Sequence, residues 1–168
     1  MELFDAIASR STAKALTGPG PTPQQVARLV EAAGRAPDHG RLKPWRFIAV
    51  DGALREPFAN AVAQARRDQI AGFTEEQMEL EREKMRRSPS ILIAGCVVRK
   101  DVPKVPEIEQ VIAVGAAVEN LLLAAADLGF GVMWKTGPAA YNARVKAAVG
   151  LAADDHIVAI LHLGTKVK

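Results

Sequence analysis

The chain has 168 residues, 49% hydrophobic and 24% charged, which suits one domain spanning residues 1–168 with a sizeable core and excludes a disordered chain. Its 22 Lys and Arg against 19 Asp and Glu leave a net charge of +3, and no dense basic run interleaved with aromatics points to nucleic acid. A single cysteine, Cys96, excludes an internal disulfide and a cysteine-rich metal site, and no His, Asp and Glu cluster has metal-ligand spacing.

Leu3, Phe4, Ile7 and Ala8 recur at helical spacing over Glu2 to Ser9. Arg10-Ser11-Thr12-Ala13-Lys14 follows. Arg10 offers a two-pronged fork for a phosphate, and the Ser11 hydroxyl beside it adds a donor. Gly18 to Pro23 is a turn-rich connector. Thr22 is a plausible N-cap with Pro23 at the first helical position and Gln25 three beyond the cap. Val26, Leu29, Val30 and Ala33 then form an apolar stripe that runs to Arg35. Pro37 ends this helix, having no N–H and a ring that clashes with the preceding turn. The loop Arg35-Ala36-Pro37-Asp38-His39-Gly40-Arg41-Leu42-Lys43-Pro44-Trp45 carries Arg35, His39, Arg41 and Lys43. So many cations are costly to bury without an anionic or aromatic partner, although a solvated turn would also carry them. Pro44 is expected to hold Lys43 extended, so that Trp45 enters the strand Phe47 to Val50.

Leu54 to Ile70 reads as a helix. Residues 66–87 are strongly charged, either a solvated helical face or a mobile cover with Phe73, Met78 or Met85 against a substrate. Ser90 to Val98 is nearly all apolar, as in a strand buried on both faces, and it holds Cys96 as a buried thiol. Glu107 to Leu128 is the longest helical stretch and is apolar most of the way round, which suits either a core or a subunit interface. Gly129 caps it, and Gly131 to Lys135 starts a strand carrying Trp134. Tyr141 to Val149 reads as a short helix. Ile157 to Leu163 is the last strand, in which His162 reads as a strand residue rather than a ligand. Four strands with helices on their faces give an α+β domain.

Three segments together resemble one family. RAPDHGRLKPWRF is similar to the A-P-[DS]-[HS]-x-x-x-x-P-W-x-F signature of nitroreductases, in the short single-domain branch. GFGVMWKTG is similar to that family's G-x-G-x-x-W-[RK]-[ST]-G segment, and Ser9-Arg10-Ser11 falls on its R-R-S. Ser9 stands where the family has its first Arg, which removes one cation; Lys14, Lys166 or Lys168 could replace it. The resemblance implies a mainly antiparallel central sheet flanked by helices. It also implies a homodimer with FMN at the subunit interface and NAD(P)H as reductant. Carried over residue by residue, the cofactor-binding set is Ser9, Arg10, Ser11, Arg35, Pro37, Asp38, His39, Arg41, Trp134, Lys135 and Thr136. The loop from Pro37 to Lys43 would reach the flavin of the other subunit. No side chain need act as nucleophile or base, because the flavin carries the chemistry. The acceptor would be a small molecule such as a nitro compound or a quinone. A flavin carrier or sensor without turnover is the alternative. The N-terminus lacks a signal-peptide pattern and no uninterrupted apolar run is long enough to cross a membrane, so a cytoplasmic place without membrane or nucleic-acid partners is expected.

Overall fold

A computed structural model describes residues 2–167. The element order is α1 (Leu3–Ser9), β1 (Leu16–Thr17), α2 (Pro23–Ala33), a 3-10 turn (His39–Arg41), β2 (Trp45–Ala49), α3 (Gly52–Arg67), α4 (Glu75–Arg86), β3 (Ser90–Cys96), α5 (Glu107–Asp127), β4 (Gly131–Lys135), α6 (Gly137–Tyr141), α7 (Ala143–Ala148) and β5 (His156–Lys166). All strand pairs are antiparallel. β5 is the hub: it pairs with β3, β4 and β1, and β3 pairs in turn with β2.

The sheet separates two apolar layers by the two-residue alternation of its strands. Leu92, Ala94 and Cys96 of β3, with Ala159, Leu161 and Leu163 of β5, face α2 and α5. Ile91 and Ile93, with Ile157 and Ile160, face α3, α6 and α7. β3 lies between β2 and β5 and packs a helical layer on each face, so its sequence is continuously apolar. The Cys96 thiol in that layer is pushed up to about 11, first by burial and then by Asp155 and Glu107, which keeps it protonated and inert at neutral pH.

Thr22 caps α2 in a reciprocal box with Gln25, and Thr74 caps α4 in the same way with Gln77. The charged segment is therefore a defined helix. Met78 and Met85 are buried against α3, and Arg86 grips Glu56 with two bonds of 2.8 Å. α5 buries Val114, Ala117, Val118 and Leu121 yet leaves Ile108 and Ile112 exposed. By length and composition α5 could cross a membrane, but its buried side is a wall of the core.

Three sequence expectations are corrected. Lys43 is not extended: its φ is +49°, and Gly40 and Arg41 also have positive φ. Asp38 Oδ2 accepts the Lys43 amide at 2.6 Å, and this contact folds the loop back on itself against the preference of a residue before proline. The Tyr141 to Val149 helix is two helices, because Asn142 is extended and its side chain caps α7 by accepting from Arg144 N. A fifth strand, β1, pairs with Thr165 and Lys166, so the last strand runs past Leu163.

Candidate functional site

The groove that best fits a ligand lies on the α3–α4 side of the sheet, over β4 and β5. It has two adjoining compartments of about 300 and 270 Å³ that share Lys84, Lys135 and His162. The first is floored by Val62, Met85, Ala139 and Ile160 and rimmed by Lys135, Thr136 and Glu81. The second is cationic, lined by Lys14, Lys84, Arg87 and Lys135 together with Ser88 and Met133. An apolar slot opening into a cluster of cations suits a flat ring that carries or develops negative charge at one edge.

Each lining group is placed by ordinary local structure. Glu81 and Lys84 lie three apart on α4, so both project from one face, and Lys84 Nζ donates to Glu81 at 2.7 Å. Met85 next to them is buried and anchors the helix. Met133 pairs with His162 across the β4–β5 ladder, and Lys135 pairs with Ile160, so the side chains of both strands share the groove face. His162 is 3% exposed. Its Nδ1 lies 2.5 Å from Ser88 Oγ, and its Nε2 is buried with no hydrogen-bond partner. Burial, then Lys135, Arg55 and Arg87, push it down to about 4, so the ring is neutral at pH 7.

The sequence-chosen residues fall into three places. Lys135 and Thr136 line the groove, whereas Trp134, one residue back, points to the other face and donates its ring N–H to Val158 O at 3.2 Å. Arg10 and Ser11 sit with Lys166 at a shallow hollow beside Val132 and Phe130. Arg10 Nε is 3.9 Å from Glu119, and Lys166 Nζ is 3.5 Å from Ser11 Oγ. The Ser9 hydroxyl turns back to the Asp5 carbonyl at 2.6 Å.

The loop is elsewhere. Arg35, Pro37, His39 and Arg41 are exposed next to β2, and His39 Nδ1 is 2.5 Å from Glu109 on α5. Asp38 ties the loop to itself through Lys43. β3 and β5 intervene between β2 and β4, and no groove-lining residue comes from 35–43. Three strand spacings separate the two, roughly 14 Å.

Sequence reading missed Glu81, Lys84 and Arg87, which a run of alternating charges hides. It also passed over Ser88 and His162. For His162 a signal was present: a polar residue at an inward position two after Ile160 in an otherwise apolar strand. Of the three residues proposed as a cover, Met85 lines the groove, Met78 packs beside a different hollow, and Phe73 lies outside the groove.

The sequence is 33% identical over 167 residues to a protein of Escherichia coli (strain K12) provisionally named NAD(P)H nitroreductase YdjA, an alignment covering 98% of this chain and 88% of the relative. Its fold superposes with a TM-score of 0.85 on a nitroreductase-like protein of Bacillus cereus, at 24% identity, covering 100% of this chain and 87% of the other. It superposes at 0.72 on a nitroreductase of Bacteroides fragilis with bound FMN, at 20% identity, covering 99% and 89%. Residues 7–165 match the profile of the Nitroreductase family, and the chain belongs to that family.

Proposed function

We propose that the protein is an FMN-dependent oxidoreductase that takes hydride from NAD(P)H and delivers it to a nitro compound, quinone or similar small acceptor. The observation that carries this reading is the two-compartment groove, with its apolar slot and its cluster of Lys14, Lys84, Arg87 and Lys135. The residues present fit the group: the buried His162 Nε2, unpartnered among the described residues, and the cations, of which Lys84 already pairs with Glu81, both call for an electron-rich ligand. FMN, when bound, supplies the hydride chemistry. Lys84 and Lys135, which line both compartments, would hold positive charge toward a bound ring and favour its reduced, anionic form. Lys135, Thr136 and Glu81 shape the rim, and Val62, Met85 and Ile160 keep water from the slot.

The site works as part of a homodimer. The loop carrying Asp38, His39 and Arg41 lies across the sheet from the groove of its own chain, so a second copy is what brings the two together. Exposed apolar side chains border that loop and α1: Ile108 and Ile112 on α5, and Leu3, Phe4 and Ile7 on α1. Exposed apolar side chains in this number suit an association face.

NADH or NADPH should bleach the flavin absorbance of the purified protein under anaerobic conditions. Initial rates against the nicotinamide at several quinone concentrations should give parallel double-reciprocal lines, because two substrates use one groove in turn. A flavin that neither nucleotide bleaches would leave a carrier; intersecting lines would require a second substrate pocket.

Arg10 and Ser11, with Lys166 at hand, are proposed to grip the phosphate. Arg10→Ala should then weaken FMN roughly ten- to a hundredfold, the loss of one charged hydrogen-bond partner. Riboflavin, which lacks the phosphate, should bind the variant and the parent alike. Equal losses for both ligands in fluorescence titrations would move the phosphate elsewhere.

A further inference from the structure

His162 is the one buried polar side chain in the groove whose ring has a nitrogen without a partner among the described residues. It stands where the apolar slot meets the cationic compartment, and it lines both. We propose that Ser88 Oγ–H donates to His162 Nδ1, so that Nε2 carries the ring hydrogen and donates it to the pyrimidine edge of the flavin, at N1 and the C2 carbonyl. This rests on the oxidoreductase reading above and adds to it a cofactor contact and the residue that sets its tautomer.

Three observations support that direction of the bond. The Ser88–His162 contact is 2.5 Å, so one nitrogen is engaged and its partner is a hydroxyl that can donate or accept. The ring is neutral at pH 7, so it carries a single hydrogen, on one nitrogen or the other. With that hydrogen on Nδ1, Nε2 would turn a bare lone pair toward a compartment that Lys14, Lys84 and Lys135 line, where a ligand is expected to bring acceptors. With the hydrogen on Nε2, the imidazole and the surrounding cations all ask for the same thing, an acceptor. A flavin whose ring filled the apolar slot would have its N1–C2 carbonyl edge as the acceptor best suited to meet these donors. A neutral donor there stabilises the reduced, anionic ring more than the oxidised one. Ser88 is a positioning residue: its backbone carbonyl is also held by Arg55 Nη1 at 2.8 Å, which fixes the hydroxyl beneath the ring.

Two measurements test this. Imidazole ¹⁵N NMR at pH 7 should show His162 protonated at Nε2 and bare at Nδ1 in flavin-free protein, with the Nε2 resonance moving when FMN is added. The potential of bound FMN should fall in His162→Leu by about 30 mV, the two-electron equivalent of a tenfold weaker hold on reduced relative to oxidised FMN. His162→Gln keeps a donor and should recover most of the shift. Ser88→Ala keeps the imidazole and should shift the potential in the same direction, with Ser88→Thr restoring it. That pair carries the comparison if the leucine variant does not fold. A hydrogen on Nδ1, or a potential unmoved in every variant, overturns the inference while leaving the oxidoreductase reading in place. A parent protein that takes up no FMN overturns that reading and, with it, this ligand.

Discussion

Replacing Lys84 and Lys135 together by methionine is expected to weaken FMN binding about a hundredfold or more. The two side chains line both compartments of the groove, one from α4 and one from the end of β4. Methionine keeps their length and removes their charge. Each charged hydrogen-bond partner lost costs about 1.5–3 kcal/mol. Two such losses correspond to roughly a hundred- to ten-thousandfold, with the lower figure applying if one lysine compensates for the other. The fold should hardly change. Lys84 gives up an exposed pair with Glu81, a contact of a type that contributes about 1 kcal/mol or less. Fluorescence titration and a thermal melt of the same samples check both halves. A loss of less than tenfold would show that the ring does not lie between these lysines.

Stability should fall measurably as the pH drops from 6.5 toward 4, and the fall should begin before the carboxylates titrate. His162 has its folded value near 4, below its ordinary 6.5. The fold therefore favours the neutral ring. The stabilisation is complete above about pH 6.5 and is lost as the pH falls toward 4, where the unfolded chain binds a proton that the folded chain resists. The difference corresponds to about 3 kcal/mol over that window. The charges facing the ring are Lys135 on β4, Arg55 on α3, and Arg87 and Lys84 at the end of α4, with Lys14 ahead of β1. All of these stay positive throughout the window, so they oppose protonation at every point in it. Glu56, Glu79 and Asp101 are held below their usual range by Arg86, Arg82 and Arg99, so the stability they contribute starts to fall only at about pH 5, where the unfolded carboxylates begin to bind protons, and the fall above that belongs to His162. Urea unfolding at pH 7, 5.5 and 4.5 should show the fall in the parent and a flatter profile in His162→Leu. The same slope in both would assign the acid sensitivity to another group.

The layers of the fold were legible because they follow from period and punctuation. Glu107 to Leu128 was found within one residue by its apolar run, and the α2 boundary by Thr22, Pro23 and Gln25. β1 escaped because two residues, Leu16 and Thr17, carry no pattern; they are a strand only because Thr165 and Lys166 lie opposite. Lys43 escaped because a side chain five residues earlier overrides the preference of the residue before proline. The resemblance supplied Lys135 and Thr136. The rest of the groove comes from α3, α4, α6, the segment around Lys14 and inward positions of the sheet, which share a face only after β4 pairs with β5. A lysine three residues after a glutamate in a charged run looks the same whether it faces water or a ligand.

In the proposed dimer, the placement of the loop and the groove at opposite edges of one sheet would make cofactor retention a property of concentration. Where each flavin is held by two chains, whatever factor FMN adds to the affinity of the chains for one another, pairing adds to the affinity for FMN. Dilution toward single chains then sheds the flavin, and excess flavin drives the chains back together by mass action. Under the proposed dimer, a newly made chain at low abundance would be colourless and inactive, and the enzyme would switch on as its own accumulation carried it past the dissociation constant of the pair.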